Sequence, residues 1–323
     1  VKRVAAIDCG TNSIRLLVAD LDPETGELKD LDRRMEIVRL GQGVDRTGRL
    51  APEALERTFA ACRKYAAVIK DLGAERLRFV ATSASRDAEN RDEFVRGVMD
   101  ILGVEPEVIS GDQEAEFSFV GATKELTGHP HIELPYLVVD IGGGSTEFVL
   151  GDRAVRAARS VDVGCVRMTE RHLVHDGVVS DPPAPERIAA IKADIAAALD
   201  RAEETVPLTE AATLVGLAGS VTTVAAVALG LDQYESAAIH HSRMSRATVA
   251  EITERLLTST HAERAAIPVM HPGRVDVIAA GALVLLSIMD RVGADEVVVS
   301  EHDILDGIAF KVAEEAEEGK NKP

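Results

Sequence analysis

Two stretches of the chain set a carboxylate, a glycine-rich turn and hydroxyls at the end of an apolar run. In IDCGTNSIRLLVAD (residues 7–20) and VDIGGGSTEFVLGD (residues 139–152), Asp8 matches Asp140, Gly10 matches Gly142, Ser13 matches Ser145 and Asp20 matches Asp152, all at one common offset. Similarity at a fixed offset marks a diverged duplication. Successive N–H groups of such a turn converge on a concavity that binds anions, and Ser and Thr hydroxyls add further donors. Gly10, Thr11, Asn12 and Ser13 form one expected phosphate nest, and Gly142, Gly143, Gly144 and Ser145 the other. Facing each other across a cleft, the two would grip a polyphosphate from both sides. Asp140 ends an inner strand beside its nest, where a hard cation would bridge a carboxylate and phosphate oxygens. Glu147 alternates with Ser145 and so shares its face, within reach of the same cation through water. Asp8 is the symmetric carboxylate, suited to metal or substrate positioning. Arg15, two residues beyond Ser13, points to the same face of its strand and adds a possible phosphate contact.

These groups need strands that end together. Residues 4–8 and 14–20 read as two strands joined by CGTNS, with Gly and Asn supplying the positive φ of a tight hairpin, and residues 137–150 repeat that hairpin. Helical spacing runs over residues 52–72 after the start signal APEAL, and RLRFVATSASRD holds a strand ending near Ala81. LGQGVDRTG (residues 40–48) has its third glycine misplaced for a dinucleotide fingerprint and reads as a mobile loop. The chain contains no G-x-x-x-x-G-K-[ST] sequence, which excludes a P-loop fold. TGHPHIELP (residues 127–135) reads as a linker, giving a first domain of residues 1–126 plus 303–317, a second of 127–302, and a flexible tail at 318–323.

A length of 323 residues exceeds what one hydrophobic core usually serves, which agrees with two domains. The net charge of −18 and an aromatic content of 3% argue against nucleic-acid binding, and the charge also argues against an anionic membrane surface. Residues 211–231 are uncharged, but Gly216, Gly219, Ser220, Thr222 and Thr223 interrupt them, so they read as a buried strand, a turn and a helix, not a membrane span. Cys9, Cys62 and Cys165 form no C-x-x-C pair, which fits a reducing cytosol, and VKRVAAIDCG is too short an apolar run for a signal peptide. His240, His241, His271 and His302 lack metal-ligand spacing and read as structural or substrate-loop residues.

The paired hairpins, taken with GLAGS at residues 216–220, resemble the actin, hexokinase and Hsp70-like ATPase superfamily. That resemblance implies an α/β fold of two ribonuclease-H-like domains with an active-site cleft between them. More narrowly, DCGTNSIRLLVAD, ATSASRDAENRDEF, ISGDQEAEFSFVGA, VVDIGGGSTEFVLG, VGCVRMTER, GLAGSVTT, HPGRVDVIAAGA and SEHDILDG are similar to motifs of the exopolyphosphatase and guanosine-pentaphosphate phosphohydrolase family, from the first strand to the last helix. The resemblance implies a cytoplasmic, homodimeric hydrolase that uses Mg2+ or Mn2+ to remove the terminal phosphate of linear inorganic polyphosphate.

By the same resemblance Glu114 is the catalytic glutamate, with Gln113 in place of a commoner second glutamate. Phosphoanhydride hydrolysis needs such a carboxylate to orient and deprotonate water. Arg86 matches an arginine that holds substrate phosphate, a role its planar fork suits. Gly219 and Ser220 would complete the phosphate contacts. The chain ends soon after EHDILDG, without the further C-terminal domains of longer members, which implies shorter polyphosphate chains. Two other functions stay open: conversion of guanosine pentaphosphate to the tetraphosphate, and a sensor that binds without turnover. A small-molecule kinase is disfavoured by the motif match.

Overall fold

The structure, a computed structural model, describes residues 2–22, 25 and 27–318, so of the expected tail residues 319–323 lie outside the described residues. The chain divides into two compact units, one of Val1–Gly121 with Asp303–Pro323 and one of Ala122–His302. It leaves the first unit inside the helix Gly111–Thr123, ahead of TGHPHIELP, and returns at the helix Ile304–Glu318.

In the first unit β1 (Lys2–Cys9), β2 (Ser13–Leu21), β3 (Leu28–Ile37), β4 (Arg76–Ala81) and β5 (Glu107–Val108) form a sheet of order β3-β2-β1-β4-β5. The first three strands are antiparallel, and β4 and β5 add in parallel. The second unit contains β6 (Tyr136–Ile141), β7 (Thr146–Gly151) and β8 (Val155–Val161), then a separate small hairpin of β9 (Val174–His175) and β10 (Val178–Val179). Its sheet is completed by β11 (Thr213–Leu217), β12 (Arg243–Ser245) and β13 (Glu296–Val299), in the order β12-β13-β11-β6-β7-β8. Read from β8 inward, β8-β7-β6-β11-β13 reproduces the order of the first sheet, with β12 added antiparallel at its edge. The duplication in the letters is therefore a duplication of the fold: two mixed α/β sheets of the ribonuclease-H-like, actin-like type.

Alternation along β1 sends Ala5, Ile7 and Cys9 into one core with the helices Pro52–Leu72 and Arg91–Leu102, while Val4 and Ala6 pack with Ile304, Leu305 and Ile308 of the last helix. Asp8 follows on the second face. The last helix approaches the helix Gly111–Thr123 through two glycines. A Cβ on Gly307 would stand 1.9 Å from the carbonyl oxygen of Phe117, and one on Gly121 would stand 1.7 Å from that of Asp303.

Two sequence expectations need correction. Residues 40–48 are not loop throughout: Gly41 donates its N–H to Thr11 O, and residues Val44–Thr47 form a short helix. The hairpin glycines are also not there for positive φ. Gly10, Asn12 and Gly142–144 are all absent from the residues with positive φ, which include Gly43, Gly48 and Gly73 instead. What glycine provides near the second turn is close approach: a Cβ on Gly164 would lie 2.4 Å from Gly143 O. Residues 211–231 fold as expected into β11 and the helix Ala218–Ala228, and among the described residues no helix is long and apolar enough to cross a membrane.

Candidate active site

Both turns close with the same hydrogen bond. Gly10 N donates to Ser13 O at 3.0 Å, and Gly142 N donates to Ser145 O at 3.0 Å. In the second turn the carbonyls are drawn into the fold: Cys165 N donates to Gly142 O, Val166 N and Arg167 N to Gly143 O, and Arg167 Nε to Gly144 O at 2.6 Å. Peptides whose oxygens are held this way turn their N–H ends to the opposite side, as an anion nest requires. In the first turn Thr11 Oγ1 and Ser83 Oγ share a hydrogen bond of 2.7 Å, which ties the turn to the helix Ser83–Asp87. Both amide atoms of the buried Asn12 side chain lack a hydrogen-bond partner. A buried unsatisfied polar group costs about 1–3 kcal/mol. A polar ligand at the turn would satisfy it.

The two hairpins diverge at one informative position. Asp8 is paired in register with Arg15, whereas at the matching position of the second hairpin Asp140 is paired with Glu147. Arg15 donates Nη2 to Asp8 Oδ2 at 2.7 Å and Nη1 to Asp303 Oδ2. Burial raises the Asp8 carboxyl above its ordinary range against the pull of Arg15. For Asp303 burial acts in the same upward direction, but Arg15 and Arg33 outweigh it and hold the group below that range. In the second unit Asp140 and Glu147 are both buried, and Glu147 Oε1 accepts a 2.7 Å hydrogen bond from Ser160 Oγ. A carboxylate opposite an arginine has a cation of the protein's own beside it; one opposite a second carboxylate is a hard-oxygen donor pair of the kind Mg2+ or Mn2+ takes. The residues present therefore fit a divalent cation at Asp140 and Glu147.

Glu114 lies buried in the first turn of the helix Gly111–Thr123. Arg86 Nη1 reaches its Oε2 at 3.2 Å and the carbonyl of Ile109 at 2.8 Å. The structure thus brings Arg86 and Glu114 together, with Thr82 and Ser83 connecting them to the first turn; Thr82 Oγ1 would lie 3.7 Å from a Cβ on Gly10. In the second unit Gly219 and Ser220 open the helix Ala218–Ala228 behind Ala218, whose φ of 73° is left-handed. Backbone strain of this kind collects at functional sites. The guanidinium of Arg274 covers Gly219 so closely that a Cβ there would stand 2.1 Å from it.

Arg274, Arg167, Ser83 and Asp303 stand outside the residues that the sequence patterns single out. The letters HPGR, VGCVR and ATSAS carry three of them, but only the fold shows what they touch. Of the expected set, Asp8, Gly10, Thr11, Asn12, Ser13, Arg15, Arg86 and Glu114 belong to the first unit, and Asp140, Gly142, Gly143, Gly144, Ser145, Glu147, Gly219 and Ser220 to the second.

Comparison with known proteins adds to this geometry. The family model described as the Ppx/GppA phosphatase family matches residues 17–316. Exopolyphosphatase 2 of Mycobacterium tuberculosis (strain H37Rv) is 50% identical over 322 residues, spanning 96% of this chain and 98% of that protein. The crystal structure of an exopolyphosphatase-like protein is similar with 42% identity and a TM-score of 0.92, covering 98% of this chain and 99% of the other. A Ppx/GppA family member from Aquifex aeolicus is similar with 28% identity and a TM-score of 0.77, covering 100% of this chain and 99% of the other.

Proposed function

The chain belongs to the Ppx/GppA phosphatase family, and from that premise we propose that it is an exopolyphosphatase that removes orthophosphate from the end of linear inorganic polyphosphate. Glu114 orients a water molecule toward the terminal phosphorus and takes its proton as the P–O bond forms. The anhydride P–O bond to the next phosphate breaks, and the shortened chain leaves with the bridging oxygen. Arg86 holds Glu114 in place and offers the rest of its fork to phosphate oxygens. The nests at Gly10–Ser13 and Gly142–Ser145 bind the chain through N–H groups and hydroxyls, with Asn12, Gly219 and Ser220 as further contacts. Mg2+ or Mn2+ held by Asp140 and Glu147 would offset the phosphate charge and polarise the phosphoryl oxygens. Asp8 orders Arg15 rather than sharing that cation, because the Arg15 guanidinium occupies its Oδ2.

The observation that carries this reading is the Arg86–Glu114 pair. A protein that only binds a polyanion has no need of a buried carboxylate there, since it repels the ligand. Within the same reading the protein works as a homodimer in the cytoplasm, which sedimentation and cell fractionation would test. The function itself is tested by assaying phosphate release from polyphosphates of defined length beside guanosine pentaphosphate, with Mg2+ present. Orthophosphate with one-unit shortening of polyphosphate is expected. Release from guanosine pentaphosphate alone would move the function to the nucleotide, and release from neither would leave a binding protein.

A further inference from the structure

Outside the phosphate site, three ligand-type side chains from distant parts of the second unit converge. Glu125 Oε2 lies 3.1 Å from His240 Nε2 and 3.1 Å from His302 Nδ1, and all three atoms are within 4.8 Å of one another. The rings of His240 and His302 stand 4.4 Å apart. His241 stacks on His240 at 3.7 Å, has a left-handed φ of 61°, and has a buried Nε2 without a hydrogen-bond partner. None of these side chains has a part in the phosphate chemistry described above.

We infer that Glu125, His240 and His302 bind one divalent transition-metal ion of the Zn2+ class, at a site distinct from the cation pair Asp140 and Glu147. Two imidazoles and one carboxylate are a known donor set for Zn2+, with a fourth position left to water. At metal–ligand distances of about 2.0–2.1 Å, neighbouring donors of a tetrahedral site stand roughly 3.4 Å apart, so the observed 3.1 Å separations need shifts of only a few tenths of an ångström. Imidazole donors also separate this site from the first, because Mg2+ favours oxygen ligands. The side chains are partly exposed, which gives an ion a way in. Glu125 and His302 lie near the points where the chain enters and leaves the second unit, so a shared ion would cross-link the two ends of that unit.

Binding costs the hydrogen bonds that the ligand side chains now make. His240 Nδ1 accepts the N–H of Glu301 at 3.1 Å, so its proton sits on Nε2 and is donated to Glu125. A metal at Nε2 moves that proton to Nδ1 and breaks the Glu301 hydrogen bond, while the contacts of His240 Nε2 and His302 Nδ1 with Glu125 give way to three coordinate bonds. The change of tautomer is itself a signature that a simple Glu–His hydrogen bond would not produce.

The test uses the full chain, stripped with chelator and titrated with Zn2+ by calorimetry, beside His302→Ala, Glu125→Gln, Asp140→Asn and His271→Ala. The wild type is expected to take up one Zn2+ per chain at this site. His302→Ala and Glu125→Gln should weaken that uptake by about tenfold or more, while Asp140→Asn and His271→Ala keep it. Nitrogen-15 spectra of the wild type should show His240 changing from the Nε2–H to the Nδ1–H tautomer on Zn2+ addition, a readout that does not depend on any variant folding. A wild type that retains no Zn2+, variants at Glu125 and His302 that bind it as the wild type does, or an unchanged His240 tautomer would each overturn the site.

Discussion

Asp140 and Glu147 are direct partners across the β6–β7 hairpin, both buried, at the position where the first hairpin pairs Asp8 with Arg15. In the proposed mechanism this charge reversal between the copies is what places the cation in the second. Asp140→Asn and Glu147→Gln should each raise the Mg2+ concentration for half-maximal activity by about tenfold or more, since each removes a formal charge from a site with few protein ligands. Asp8→Asn should leave that midpoint in place. A metal titration of the three variants checks both statements, and an equal shift in all three would mean that Asp8 shares the ion.

Arg86 Nη1 donates hydrogen bonds to both Ile109 O and Glu114 Oε2. Lysine would keep the charge but lose the planar fork. Arg86→Lys is expected to raise KM for a short polyphosphate by roughly tenfold, the loss of one charge-assisted hydrogen bond, with Arg86→Ala worse and its KM less sensitive to salt. Steady-state kinetics at two salt concentrations read this directly; wild-type behaviour in both variants would remove Arg86 from substrate binding.

The contact of Gly307 with the backbone of Phe117 fixes the helix that carries Glu114. Gly307→Ala puts a methyl where a carbonyl oxygen already stands, so one helix must move. A stability loss of about 1–3 kcal/mol is expected. Because the displaced helix carries Glu114, kcat should also fall at temperatures well below the melting point. Calorimetry and phosphate release on the same sample separate the two effects, and an unchanged kcat would show that the helix position has slack.

Asp303 gives a pH dependence with a definite sign. Burial raises its carboxyl, but Arg15 and Arg33 overcome this and hold it below its unfolded value. A group so depressed stabilises the fold above its unfolded pKa of about 3.9, and that contribution is lost as pH falls through the lower folded value. Asp303→Asn should therefore cost about 3–5 kcal/mol near neutrality, the cost of breaking a buried pair, and less as pH is lowered toward about 3. Asp8, raised by burial and in part by Asp303 itself, acts in the opposite sense, so Asp303→Asn is compared with the wild type both as they stand and with Asp8→Asn added to each. Urea unfolding across that range measures the gap; a gap independent of pH would contradict the ion-pair account.

The parts legible in the letters were those written locally. The two hairpins share their pattern residue by residue, and the helix Pro52–Leu72 carries its own start and stop in Pro52 and the left-handed Gly73. The glycines misled because positive φ and close approach use the same residue, and only the fold shows Gly164 against Gly143. Arg15 could be placed on its strand face, but its second partner, Asp303, lies 288 residues on. The same distance effect hid the histidines: His240 and His302 meet over Glu125 from distant parts of the sequence, with His241 N donating to Val299 O at the end of β13, and no ligand spacing encodes that.

Glu114 is the residue on which the account turns, and one comparison tests it most directly. Orthophosphate release from a short polyphosphate is measured for the wild type and for Glu114→Gln at saturating Mg2+, with binding of the same chain measured in parallel. The amide keeps the size of the side chain but cannot take a proton from water. Release should fall on the order of a hundredfold or more while binding stays near that of the wild type. Near-normal release by Glu114→Gln would contradict the proposed mechanism.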